Sequence, residues 1–245
     1  MCYYVASHFS GKEIFQLEHD FVVHWEEEER ASYYAVSGFA HPKLPVITSE
    51  GTFKNYRWGL IPSWVKDWES AKKIREQTLN AIGDTLTERP SYRHAVKAGR
   101  FCVIPVNGFF EWHHHINGEN YPHYIYPKSE SYFLLAGIYE QWINKELDEV
   151  FNTFTIITTP ANPRMEWIHN TKKRMPAILT KEAAKMWLDG NIPLSEKKEL
   201  LSPFSEQLMT DHSIGKLITS RRENPNQPAV SAKVEYPELR ASSSS

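Results

Sequence analysis

The chain has 245 residues, of which 41% are hydrophobic and 24% charged, and its formal net charge is −2. That length can bury a sizeable core in one large domain or two small ones, and the composition is that of a globular protein. No stretch reaches the roughly 20 apolar residues of a membrane span, and the near-neutral balance excludes a global basic field, so any nucleic acid has to be met by a local patch.

The sequence opens on a β-prone run at 2–6. Residues 12–24 place Ile14, Leu17 and Phe21 at helical spacing, and the acidic run 26–29 reads as a solvated face. Residues 33–39, 44–48 and 52–61 read as strands or extended chain, the last ending at Pro62. Residues 66–79 read as a surface helix, and 85–97 as a helix that Pro90 delays. A β region follows. It comprises 101–106, a turn or bulge at Asn107-Gly108, 109–116, a hairpin signal at Asn117-Gly118, a return strand 121–126, and two more strands at 132–139 and 151–158. Thr180 is placed to cap a helix over 182–188 that Gly190 ends, and 195–208 reads as a last helix. From Arg221 the chain is polar and Pro-rich and closes in four serines, a composition expected to be loosely ordered. Strands in the middle, helices around them and no βαβ alternation point to a single α+β domain, a mostly antiparallel twisted sheet or open barrel flanked by helices. The two cysteines, Cys2 and Cys102, form no secreted-type framework, and the N-terminus carries no signal peptide, so a cytosolic or nucleoid setting is expected.

Five places carry residues suited to chemistry. If Met1 is removed, Cys2 becomes a terminal 1,2-aminothiol, with an amine of pKa ~7.7–8.0 and a thiol of ~8.5. The amine can attack an aldehyde, and the thiolate can then close a five-membered thiazolidine in an intramolecular step. The bland alternative is a small residue buried in a first strand. Glu111, flanked by aromatics in Phe109-Phe110-Glu111-Trp112, sits where poor solvation raises a carboxyl pKa, although a salt-bridged edge glutamate has the same local sequence. On a strand Glu111, His113 and His115 share a face, which leaves a metal triad open beside a solvated hairpin tip. His169, near Arg174, can trade protons close to neutral pH or be purely structural, and Asn80 can orient an amine or a substrate. Finally Trp58, Trp64 and Trp68 interleave with Lys66, Lys72 and Lys73, a pattern that suits single-stranded nucleic acid. Trp58 reads as core and Trp64 as the better stacking ring.

In this order the motifs resemble one family, the SOS response-associated peptidase (SRAP) proteins. The motifs are Met1-Cys2, Trp58-Gly59 through Pro62-Ser63-Trp64, Asn80-Ala81 with Asp84-Thr85, Gly108 to Trp112, Ile157-Thr158-Thr159, and His169 with Arg174-Met175-Pro176. The resemblance implies one SRAP-type domain over 1–220 with a tail at 221–245, and a protein that shields abasic sites in single-stranded DNA through a thiazolidine crosslink. Cys2 would form the ring, Asn80 position the amine and sugar, Glu111 assist Schiff-base formation, and His169 open the sugar and act in reversal. Trp64 and Arg174 would meet DNA, and the Trp/Lys pattern adds Trp68 and Lys72 as DNA-binding candidates. The same four site residues are linked in the family to self-removal of the leading Met, a peptidase step, and the crosslink chemistry is of lyase type. No cofactor, metal or membrane is implied, and a monomer is expected. The sequence departs from the family where Tyr3-Tyr4 follow Cys2 in place of Gly-Arg, where Ile82 replaces an Arg, and where four residues rather than one separate His169 from Arg174. Arg75, Lys72, Arg89, Arg93 and Arg164 are candidates to replace the missing cations. Two other readings stay open: a cysteine peptidase built on Cys2, His169 and Glu111, and a metal-binding module at Glu111, His113 and His115.

Overall fold

The protein is described by a computed structural model over residues 2–27, 31–146 and 148–241. Met1, part of the acidic run and the closing serines lie outside the described residues. Strand β1 (Tyr4–Ser7) leads into helix α1 (Gly11–Phe21), which Ser10 and Glu13 start as a reciprocal capping box. Strands β2 (Tyr33–Ser37), β3 (Lys43–Thr48) and β4 (Phe53–Trp58) follow. Helix α2 (Trp68–Gln77) is capped by Asp67, and β5 (Asn80–Ile82) is short. Helix α3 (Pro90–Lys97) starts at the proline, which has no N–H to leave unbonded in a first turn. The β region then runs through β6 (Phe101–Val106), β7 (Gly108–His114), β8 (Asn120–Pro127), β9 (Phe133–Asn144) and β10 (Glu149–Pro160). The last part carries α4 (Pro163–Ile168), β11 (Arg174–Pro176), β12 (Ile178–Leu179), α5 (Lys181–Leu188), α6 (Leu194–Glu199), β13 (Met209–Ser213) and α7 (Pro237–Ala241).

Two sheets form. One is five-stranded and antiparallel, in the order β13-β8-β7-β1-β2. The other runs β10-β4-β3-β6-β9, and β9 pairs back onto β10, so the expected open barrel is a closed ring of strands. Closure leaves those strands no exposed edge. The pairing is mostly antiparallel, while β10 lies parallel to β4 and β5. Side chains alternate across the five-stranded sheet. Cys2, Val5, Phe109 and Ile125 face the barrel and pack with Trp58, Leu79, Ile104 and Phe154. Ala6, Ala35 and Phe110 face outward and are covered by Ile214, Ile218 and Val230.

Three elements differ from the sequence reading. The expected helix over 195–208 ends at Glu199, because Ser202-Pro203 cannot continue it, and β13 follows. Helix α4 has no counterpart among the expected elements: Asn162 caps it by accepting from Met165 N–H, and Pro163 fills its first position. The hairpin of β9 and β10 extends well beyond 139 and begins before 151. The segment after Arg221 lies against the five-stranded sheet: Asn226 Oδ1 accepts from Tyr34 N–H at 2.7 Å, Lys233 bridges Ile214, and Val230 is buried. Among the described residues no helix is long and apolar enough to cross a membrane.

One buried cation closes the helical side. Lys197 is 1% exposed, and its ammonium donates to the carbonyls of Met186, Trp187 and Asp189 at the end of α5 while lying 4.6 Å from the Phe101 ring centre. Those carbonyls are the ones a helix C-terminus leaves unbonded. Lys197→Met keeps the apolar stem and strands the carbonyls. It should lower the unfolding free energy by about 2 kcal/mol, read as a drop in the urea midpoint with an unchanged slope.

Candidate active site

The site lies where the five-stranded sheet meets the barrel. Cys2 stands just before β1 and is fully buried, with its Sγ 3.9 Å from Tyr4 O. The neighbouring backbone is fixed by Gly38 N–H donating to Tyr3 O at 2.8 Å. Asn80, the first residue of β5, donates from Nδ2 to Cys2 O at 2.9 Å. Its own carbonyl accepts from the Tyr92 hydroxyl at 3.0 Å, and Trp58 Nε1 donates to the preceding carbonyl of Leu79 at 2.7 Å. Glu111 is buried on β7, on the barrel-facing side shared with Phe109. His169 caps the C-terminal end of α4, its N–H donating to Met165 O at 2.7 Å. Its Nδ1 lies 2.8 Å from Arg174 O and 3.9 Å from Glu111 Oε1. The four residues singled out in sequence, Cys2, Asn80, Glu111 and His169, therefore come together from four separate elements.

Burial sets their electrostatics. Loss of water raises the Glu111 carboxyl from 4.5 to about 7, because the ionised form is the one that loses hydration. The same cause lowers His169 from 6.5 to about 4, so the imidazole is neutral near pH 7. A carbonyl can only accept, so Nδ1 carries the proton toward Arg174 O and Nε2 holds the lone pair. Burial, and after it the Glu111 charge, pushes the Cys2 thiol well above its ordinary value.

The residues expected to meet DNA are placed unevenly. Trp64 is 54% exposed and, with Asn80, Thr85, Arg89 and Tyr92, lines an open groove of about 350 Å³ that reaches the site. Trp68 lies elsewhere, stacked on Trp142 at 5.9 Å and packed on Phe151, with the Arg75 guanidinium 5.1 Å from its ring centre. Lys72 pairs with Glu69 on α2 at 2.5 Å. Arg174 donates to Thr158 O at 2.6 Å and to its hydroxyl at 3.2 Å, which ties the guanidinium to the end of β10. Of the substitute cations, Arg89 lines the groove, Arg93 is exposed on α3, and Arg164 is held by Asp211 at 2.5 Å.

The metal reading finds no support in the geometry. β7 ends at His114, before His115, and His113 Nδ1 is engaged by Trp167 O at 2.7 Å. Among the described residues no three His, Cys, Asp or Glu side chains gather as a metal would need. Sequence reasoning missed Tyr92 and gave Thr158 and Asn170 no role of their own. Their local sequence gives no sign of the backbone groups they meet, which arrive from distant elements.

The sequence profile of the family described as "SOS response associated peptidase (SRAP)" matches residues 1–221. The chain is 39% identical over 169 residues, 69% of its own length and 71% of the relative's, to the "Abasic site processing protein YoqW" of Bacillus subtilis. It is 32% identical over 203 residues to the "Abasic site processing protein HMCES" of Xenopus tropicalis, covering 75% of this chain and 58% of that longer protein. Among solved structures, a Bacteroides thetaiotaomicron protein superposes with a TM-score of 0.86 at 34% identity, over 96% of this chain and 100% of the other. A Bordetella bronchiseptica protein shares the fold with a TM-score of 0.74 at 20% identity, over 87% and 100%. By profile and by identity alike, the chain belongs to the SRAP family.

Proposed function

We propose that this protein processes abasic sites in single-stranded DNA by capturing the opened sugar in a covalent thiazolidine on Cys2. The observation that carries the reading is the convergence of Cys2, Asn80, Glu111 and His169 at one buried point beside the Trp64 groove. Relatives at 39% and 32% identity bear the name abasic site processing protein, which agrees with it. The setting that goes with this chemistry is the cytosol or nucleoid, with the chain acting as a monomer.

The chemistry follows from the protonation states. An abasic sugar is mostly a closed hemiacetal. The lone pair on His169 Nε2 accepts the proton of its anomeric hydroxyl, the ring oxygen takes up a proton, and the aldehyde is released. Removal of Met1 turns the Cys2 nitrogen into an amine, which adds to the aldehyde carbon. Glu111, near half-protonated at neutral pH, takes the proton the nitrogen sheds and returns it to the departing hydroxyl, which leaves as water. The imine carbon then receives the Cys2 sulfur while the thiol proton passes to nitrogen, so the ring closes with water as the only product lost. Asn80 fixes the Cys2 carbonyl, so the amine and thiol are the parts left to move. The same groups are proposed to serve self-removal of Met1. A general cysteine peptidase fits less well, because such enzymes lower their thiol pKa and burial here raises it.

A single-stranded oligonucleotide with one abasic site should give a heat-stable, slower band with the mature protein on a denaturing gel. Cys2→Ala should give none. Cys2→Ser keeps the amine and should give a band only when borohydride reduces the imine. Equal bands from wild type and Cys2→Ala would end the proposal.

Stability against pH checks the electrostatics independently. Between pH 4.5 and 6.5 the folded protein keeps Glu111 protonated and the unfolded chain does not, so this group's stabilisation is lost as pH rises through about 7. His169 acts oppositely: unfolded it is charged below 6.5 and folded it is neutral, so its contribution is lost as pH falls toward about 4. The two slopes offset one another in the wild type. Glu111→Gln should leave stability rising with pH across that window, and His169→Gln should leave it falling, both read from urea midpoints at stepped pH.

A further inference from the structure

The run Glu111-Trp112-His113-His114-His115 is not exhausted by Glu111. We propose that Asn170, together with the His113–His114 end of β7, is a positioning device that sets His169 against Glu111. Asn170 Oδ1 accepts from His114 N–H at 3.1 Å, and its Nδ2 donates to His114 O at 2.8 Å. A side-chain amide thus takes the place a neighbouring strand's peptide would take at the end of β7. One residue earlier on β7, His113 Nδ1 donates to Trp167 O at 2.7 Å, and its ring stacks on Trp167 with centres 4.5 Å apart. His123, the cross-strand partner of Glu111, meets the same indole edge-on at 5.3 Å. At the other end of α4, Arg164 Nη1 meets Asp211 Oδ1 on β13 at 2.5 Å.

These ties have a common geometry. Helix α4 has six residues, too few to hold its shape unaided. It is bound to the strand that carries Glu111 two residues before His169, at Trp167, and one residue after it, at Asn170. The corresponding anchors on β7 lie two and three residues beyond Glu111. The separation of 3.9 Å between His169 Nδ1 and Glu111 Oε1 is therefore set by short spans on both sides. Side chains that hold a reacting pair in register raise the rate by orientation, and loss of about 1 Å of placement costs up to about a hundredfold. The inference rests on the proposed reaction for its consequence in rate, and on the imidazole alone for its consequence in structure.

Two measurements on Asn170→Ala, with His113→Phe as a second variant that keeps the stacking ring, test it. Crosslinking at saturating abasic oligonucleotide should slow about tenfold or more, with the DNA dissociation constant unchanged. In a His169→Gln background the same change should produce no further slowing. By NMR the His169 imidazole, which Glu111, His114 and Lys172 also face, should titrate higher, toward the ordinary 6.5, as the loop opens to water. An unmoved His169 titration, or a rate loss that adds to that of His169→Gln, overturns the inference. If the wild type forms no crosslink, the proposed abasic-site chemistry falls, while the positioning role of Asn170 is still decided by the His169 titration.

Discussion

Glu111 stands on an interior strand of the five-stranded sheet, facing the barrel, and the withdrawal of water from it governs the rest of the site. Carried on a sheet edge, the same carboxyl would ionise at its ordinary value and neither lend nor take a proton at neutral pH. Enclosed by the barrel on one side and α4 on the other, it is raised to about 7. His169 shares the enclosure and is pushed the opposite way, to about 4. One environment thus yields a proton donor-acceptor and a neutral base from two groups whose exposed forms would both be charged near pH 5.5.

That enclosure has a cost which the surrounding structure offsets. Two ionisable groups, a thiol and an amide converge at the seam, and each is tied by a hydrogen bond to backbone: Cys2 to Tyr4, Asn80 to Cys2, His169 to Arg174, and Glu111 to Trp112. The apolar filling around them comes from both sheets, with Trp58, Leu79 and Phe154 on the barrel side and Phe109 and Ile125 on the other. The C-terminal segment seals the far face through Ile214, Ile218 and Val230, so the sheet holding Cys2 and Glu111 is covered on both sides.

Much of this was legible in the residues. The apolar run at 101–106 and the turn pairs at Asn107-Gly108 and Asn117-Gly118 locate β6 to β8, and the aromatic flanks of Glu111 give the direction of its pKa shift. Other parts were hidden for identifiable reasons. Asn162-Pro163 has the composition of a turn, and only the Met165 N–H reveals it as a helix cap. Leu200, Leu201, Phe204 and Leu208 imitate a helical stripe across the break that Pro203 makes. Trp68 among lysines looks the same whether it meets a base or Trp142, because the partner arrives from a hairpin more than seventy residues away. The histidine run was correctly placed on Glu111's face as far as His113, but a strand pattern says nothing of what covers that face. The cover is α4, which the sequence reading lacked.

The order of strands has a consequence for the timing of synthesis. β1 lies between β2 and β7, so the strand next to Cys2 gains its second neighbour only when residues 108–110 have been made. A ribosome adding roughly 5–20 residues per second takes on the order of 5–20 s to reach that point. Until then β1 can pair with β2 alone, and the burial of Cys2 against the barrel waits on the later strands.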